Sequence, residues 1–163
     1  MQVLQPALET GAAFQLSPGL QSKLELLGSE MKTSSGEILF HQGTDCRGVY
    51  VVRSGAARIF MVDDKGRMVT CRDVGPGCIL GLPATLCVQP YMFTAETKLD
   101  CTLKFISAEE FQEFLRVNPA LCMEVLQLMS SELTAVNRRR TELSQCTQSA
   151  CNLRGTCAST GSC

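Results

Sequence analysis

The sequence predicts a mainly β fold, a sandwich or jelly roll with flanking helices, that ends in one long C-terminal helix. Three observations carry that expectation. Between Met31 and Ile106, short apolar runs of strand-like residues recur at intervals of about ten residues, with Gly, Asp, Ser or Pro between them. After Ile106 the apolar period changes to three and four residues and holds over several turns. A chain of 163 residues, 45% hydrophobic and 19% charged, fits one domain with a real core and short appendages.

Taken in order, residues 1–16 show no sustained periodicity and are expected to run over the surface. Ser17 supplies an N-cap oxygen and Pro18 a first helical residue; Leu20, Leu24 and Leu27 follow at helical spacing and Gly28 stops the run. Ile38–His41 reads as a short strand. Val49–Arg53 and Ala56–Val62 are expected to pair around Ser54 and Gly55. Asp63, Asp64, Lys65 and Gly66 give the clearest hairpin signal, because a glycine that accepts positive φ follows three polar residues. Arg67–Val74 then returns antiparallel, and strands near Phe93–Lys98 and Cys101–Ile106 close the β region. Ser107 caps a helix with Glu109 and Glu110 in its first turn, where negative charge complements the backbone dipole. Asn118 and Pro119 open the last helix. The expected organisation is therefore an extension and short helix over 1–30, a β jelly roll over 31–106, helices over 107–145 and a Cys-rich tail over 146–163.

Within the β region, the stretch 75–97 stands out. Gly75, Pro76 and Gly77 force a turn, a short apolar segment reaches Gly81, and Pro83 suits the first turn of a brief helix through Leu86. A strand, a glycine elbow, one helical turn and a returning strand make a pocket wall whose turn amides can meet an anion.

Together, GEILFHQG (Gly36–Gly43), VYVVRSGAARIF (Val49–Phe60), GPGCILGLPA (Gly75–Ala84), ISAEEFQEFL (Ile106–Leu115) and the long last helix resemble the effector domain of the Crp/Fnr family of bacterial regulators. That family is a branch of the cyclic nucleotide-binding-like domains. The resemblance implies a double-stranded β-helix (jelly roll) followed by a dimerisation helix, a sensor role in signal transduction and transcription regulation, and an effector pocket at Gly81, Leu82, Pro83, Ala84, Phe93, Thr94 and Ala95.

The departures from the family pattern decide the expected chemistry. Nucleotide-binding members carry a glutamate after the cassette glycine and an arginine before a Ser/Thr-Ala pair. Here Leu82 follows Gly81, and Met92 and Phe93 precede Thr94 and Ala95, with no Lys or Arg from Gly75 to Thr97. A phosphodiester would lose the charge-assisted bidentate bond of an arginine, so cyclic AMP is not expected to bind. True nucleotide binding would need a cation from elsewhere, such as Arg72, Lys98 or a partner subunit. Cys78, Cys87, Met92 and Phe93 are expected either to line an apolar version of the pocket or to fill it as core.

On the last helix, Leu126, Met129, Leu133, Val136 and Leu143 form a seam that predicts a homodimer; the alternative is packing against the protein's own sheets. Arg138, Arg139 and Arg140 read as a solvated face near the helix C-terminus rather than as phosphate contacts. The residues after Leu143 lack the apolar spacing of a helix-turn-helix, so direct DNA binding is not expected.

Ten cysteines are many for this length. Six lie in the body, in mostly apolar or strand-like contexts. Cys146, Cys151, Cys157 and Cys163 crowd the tail, where four soft ligands would suffice for zinc or an iron-sulfur cluster. Their spacing matches no tight-pair motif, so a redox thiol switch and a plain mobile tail stand beside that reading.

A net charge of −1 gives no general pull toward nucleic acid, and no run reaches the roughly eighteen apolar residues of a membrane span. MQVLQPALET lacks a basic leader before an apolar core, so a cytoplasmic protein is expected. His41 is the sole histidine, expected as an exposed residue beside a turn and not as a haem ligand. With no second histidine there is no conventional catalytic grouping or cupin-type metal cluster, and an enzyme is not expected.

Overall fold

Nine strands and four helices follow one another in the computed structural model, which describes residues 13–155, with side chains throughout except those of Val136 and residues 139–155. The order is β1 (Ala13–Gln15), α1 (Pro18–Leu24), β2 (Ser29–Thr33), β3 (Ile38–Phe40), β4 (Gly48–Ser54), β5 (Ala57–Val62), β6 (Met68–Val74), β7 (Cys78–Leu80), α2 (Leu82–Cys87), β8 (Thr94–Thr97), β9 (Cys101–Ser107), α3 (Ala108–Val117) and α4 (Pro119–Gly155).

The strands form two antiparallel sheets, one ordered β1-β7-β4-β9-β2 and the other β3-β8-β5-β6. The sheets face each other over a core that includes Phe40, Tyr50, Val52, Ile59, Ala95 and Leu103. A second core lies on the opposite face of the five-stranded sheet, where Val49, Val51, Ile79 and Ile106 meet Leu20, Phe111, Leu115, Leu121 and Val125 of the helices. Both faces of β4 are therefore covered. This is why Val49-Tyr50-Val51-Val52 is a continuous apolar run and not an alternating one.

Local signals placed most elements as expected. The Ser17 hydroxyl accepts the Leu20 N–H at 3.2 Å, and the Ser107 hydroxyl accepts the Glu110 N–H at 3.2 Å. The Asp63 carboxylate accepts the N–H groups of Lys65 and Arg67 at 3.0 and 2.8 Å, and Gly66 takes φ 74°, closing the β5–β6 hairpin.

Three expectations need correction. Residues 13–16 do not run free over the surface: β1 pairs with β7, and Phe14 and Leu16 are buried. The cause is a long-range backbone ladder, to which local periodicity is blind. The segments flanking Ser54 and Gly55 do not pair with each other. β4 lies in one sheet and β5 in the other, so Gly55 is a corner between sheets. At φ 89° its Hα side lies so close to the Asp100 carbonyl that a Cβ would stand 2.3 Å from that oxygen. The last helix also runs further than residue 145, continuing through Cys146 and Cys151 to Gly155. Its Ser, Thr and Gln content lowers apolar periodicity without breaking a helix, because neither Pro nor Gly intervenes before Gly155.

Candidate functional site

The expected pocket is built by the connection between β7 and β8. Gly81 takes φ 80°, and a Cβ there would come within 2.9 Å of the Tyr91 ring and 3.0 Å of the Gly48 carbonyl oxygen. Both the backbone conformation and the packing thus require glycine at the elbow. Pro83 then sits in the first turn of α2, and the Thr85 hydroxyl donates to the Gly81 carbonyl at 3.0 Å. The helix ends on Val88 at φ 52° and ψ 52°. The Gln112 side chain of α3 donates to the Thr85 carbonyl at 2.8 Å, which ties the cassette to the helical layer.

Tyr91 determines what the pocket can hold. Its ring is 3% exposed and stacks on Phe40 with centroids 4.0 Å apart. Its hydroxyl donates to the Gly48 carbonyl at 2.7 Å and accepts the N–H groups of Arg47 and Gly48, each at 3.1 Å. Burial pushes this phenol well above its ordinary pKa, so it stays a neutral donor. The space left beside Pro83, Ala84, Met92 and Phe93 is a cavity of about 20 Å³, room for about one water.

Of the residues predicted for the pocket, Gly81, Pro83, Ala84 and Phe93 line this cavity. Leu82 packs into the helix-side core, Thr94 accepts the Gln42 N–H at 3.0 Å, and Ala95 lies in the sheet interface. Met92 joins the lining; Cys78 instead donates to the Gln15 side chain at 3.2 Å, and Cys87 is exposed. Tyr91 and Phe40 were not singled out from sequence. A tyrosine directly after the Pro90 that closes the cassette was the available signal.

The cations outside the cassette are distributed as follows. Lys98 and Arg58 both bind Asp73, at 2.6 and 2.9 Å. Arg72 stands opposite Ile59 on the inward side of β6, an edge strand. Neither Arg72 nor Lys98 lines the cassette cavity.

On α4, Leu121 and Val125 are buried against the protein's own core, whereas Leu126 and Leu133 are 49% and 64% exposed, with Met129 half-buried between them. The side chains of Val136, Arg139, Arg140 and Leu143 lie outside the described ones, and Arg138 is exposed. Cys46, Cys71, Cys78, Cys87, Cys101 and Cys122 are free thiols, Cys71 and Cys87 exposed rather than apolar in setting. Among the described residues no three His, Cys, Asp or Glu side chains gather as a metal site. Cys146 and Cys151 belong to α4, but their side chains lie outside the described ones, and Cys157 and Cys163 lie outside the described residues. No described helix is long and apolar enough to cross a membrane.

Known proteins share this arrangement. Residues 30–118 match the family described as the cyclic nucleotide-binding domain. The Anaerobic regulatory protein of Bacillus subtilis is 26% identical over 129 residues, covering 78% of this chain and 54% of that protein. The Transcriptional activator protein anr of Pseudomonas aeruginosa is 33% identical over 101 residues, covering 60% of this chain and 40% of that protein. The chain thus spans about half the length of such relatives. The Thermus thermophilus Catabolite Activator Protein superposes with a TM-score of 0.57 at 22% identity, over 84% of this chain and 61% of that one. With two facing antiparallel sheets, the Gly81 elbow and a match over more than half its residues, the chain belongs to the cyclic nucleotide-binding domain family, with regulators of the Crp/Fnr type among its relatives.

Proposed function

We propose that the chain is a regulatory, non-enzymatic sensor domain whose cassette no longer takes a cyclic nucleotide, which works as a homodimer through α4 and reads no operator DNA by itself. The single observation that supports this most is the filling of the cassette. Tyr91, Phe40 and Phe93 leave about 20 Å³ where small-molecule sites run to roughly 300–1,000 Å³. No Lys or Arg lines that space, so an entering phosphodiester would be desolvated without a counter-charge.

The dimer reading rests on the exposed face of α4. Leu126 and Leu133 are seven residues apart, hence on one side of the helix, and Met129 continues that side toward the core. A second α4 would cover an apolar strip that is otherwise in water. A change in the cassette reaches this helix through α3, which Gln112 joins to Thr85.

Calorimetric titration with cyclic AMP and cyclic GMP tests the cassette: no saturable heat is expected, and micromolar binding of either nucleotide would overturn the reading. Sedimentation equilibrium tests the dimer. Leu126→Glu combined with Leu133→Glu is expected to yield a folded monomer whose melting temperature is lower because the stabilisation from association is lost, and a monomeric wild-type protein would refute the pairing.

A further inference from the structure

The Phe40–Tyr91 stack is a wall with a cavity on each side. One side is the small cassette pocket. The other opens into a cleft of about 510 Å³, large enough for a small organic ligand. Leu39, Tyr50 and the two shared rings form its apolar side, and the loop between β3 and β4 supplies a polar rim that includes His41, Asp45 and Arg47.

Arg47 is the cation of this rim. Its side chain is exposed, and among the described residues no carboxylate forms an ion pair with it, Asp45 included. Its backbone, by contrast, is fixed. The N–H donates to the Tyr91 hydroxyl at 3.1 Å, and the carbonyl accepts the N–H of Ala108, the first residue of α3, at 2.9 Å. Burial raises the pKa of the Tyr50 phenol and the charge of Arg47 works against that rise, which puts the guanidinium's field at the aromatic side of the cleft. A rigid backbone thus holds an unneutralised guanidinium over an aromatic-walled cleft, next to a cassette without a cation.

We propose that this cleft is a second ligand site, taking a small aromatic anion whose carboxylate or phosphate meets Arg47 and whose ring lies along the Phe40–Tyr91 wall. A planar guanidinium fork matches either oxyanion in bidentate geometry. The ring replaces water on a surface that is already apolar. Occupancy would act on α3 directly, through the Arg47–Ala108 bond. The assignment goes beyond the reading of the cassette and does not depend on it.

The test is an NMR titration of the isotope-labelled chain with benzoate, with phenyl phosphate and with neutral benzamide. Saturable shifts are expected at the amides of residues 41–48 and at Tyr91 with at least one of the two anions, and the pair of anions tells carboxylate from phosphate preference. Benzamide should bind about 10-fold more weakly than the preferred anion, and Arg47→Gln should lose about the same factor. Arg47→Lys, which keeps the charge but not the fork, should fall between; Lys65→Gln, at the hairpin tip, should change nothing. The Arg47 side chain carries no structural hydrogen bond among the described residues, so the variants are expected to melt with the wild type. The proposal is overturned if neither anion saturates, if Arg47→Gln leaves affinity unchanged, or if the shifts fall on residues 81–86 and Phe93. Nucleotide heat that survives Arg47→Gln reports on the cassette, whereas heat lost in that variant reports on the cleft, so the two readings fail separately.

Discussion

Tyr91 and Phe40 lie ring on ring, with planes 19° from parallel, and the Tyr91 hydroxyl makes three hydrogen bonds to the backbone of Arg47 and Gly48. One side chain thereby closes the cassette pocket, bounds the neighbouring cleft and pins the start of β4. Removing its hydroxyl leaves the Arg47 and Gly48 N–H groups without this acceptor and the Gly48 carbonyl with only the weak Cys46 thiol donor at 3.8 Å. Tyr91→Phe should cost about 1–3 kcal/mol of folding free energy while leaving the stack in place. Urea denaturation measures this; a loss under a few tenths of a kcal/mol would mean that the hydroxyl holds nothing.

Gly55 and Gly66 have similar backbone angles, φ 89° and 74°, but different surroundings. A Cβ at Gly55 meets the Asp100 carbonyl oxygen at 2.3 Å and the Cys101 sulfur at 2.8 Å, whereas at Gly66 nothing lies within 4 Å. Gly66→Ala should cost about 1–2 kcal/mol, the left-handed backbone penalty alone. Gly55→Ala adds a clash with backbone and should cost about 2–5 kcal/mol. Equal losses would show that the sheet corner yields easily.

Asp73 receives hydrogen bonds from Arg58 and then from Lys98, which hold its pKa below the ordinary carboxylate value. A depressed folded pKa contributes stability that is complete above the unfolded value, about 3.9, and is lost as pH falls through the folded one. Melting temperature should therefore fall as pH drops below about 4, and Asp73→Asn should flatten that acid slope. The group is half-exposed, so 0.5 M salt is expected to shrink the difference between wild type and variant.

How much of this was legible follows the range of the interactions. Ser17, Ser107 and the Asp63–Gly66 turn satisfy backbone groups within four residues of themselves, so their sequence neighbours are their structural neighbours. The β1–β7 ladder and the separation of β4 from β5 into different sheets depend on partners far along the chain, and a hairpin-like Ser54-Gly55 cannot be told from a corner by composition. At the site, Leu82 and Phe93 were visible in the sequence, but the setting of Tyr91 was not: it is held by Phe40, Gly81 and Gly48, residues brought together only by the fold.

Val88 breaks a local rule, offset only by backbone bonds from its own N–H and that of Gln89 to the Ala84 carbonyl. It caps α2 at φ 52° and ψ 52°, the left-handed region, which β-branched side chains avoid because Cβ approaches the following carbonyl. Its side chain is 79% exposed, so burial returns little of that strain. Asparagine tolerates this conformation through local hydrogen bonding, and glycine adopts it freely but loses more chain entropy on folding. Val88→Asn and Val88→Gly should therefore both stabilise the protein, by about 0.5–1 kcal/mol, with the glycine variant gaining less than its backbone angles alone suggest. Paired denaturation curves check this. If both variants are instead destabilised, local contacts of the Val88 side chain outweigh the backbone strain.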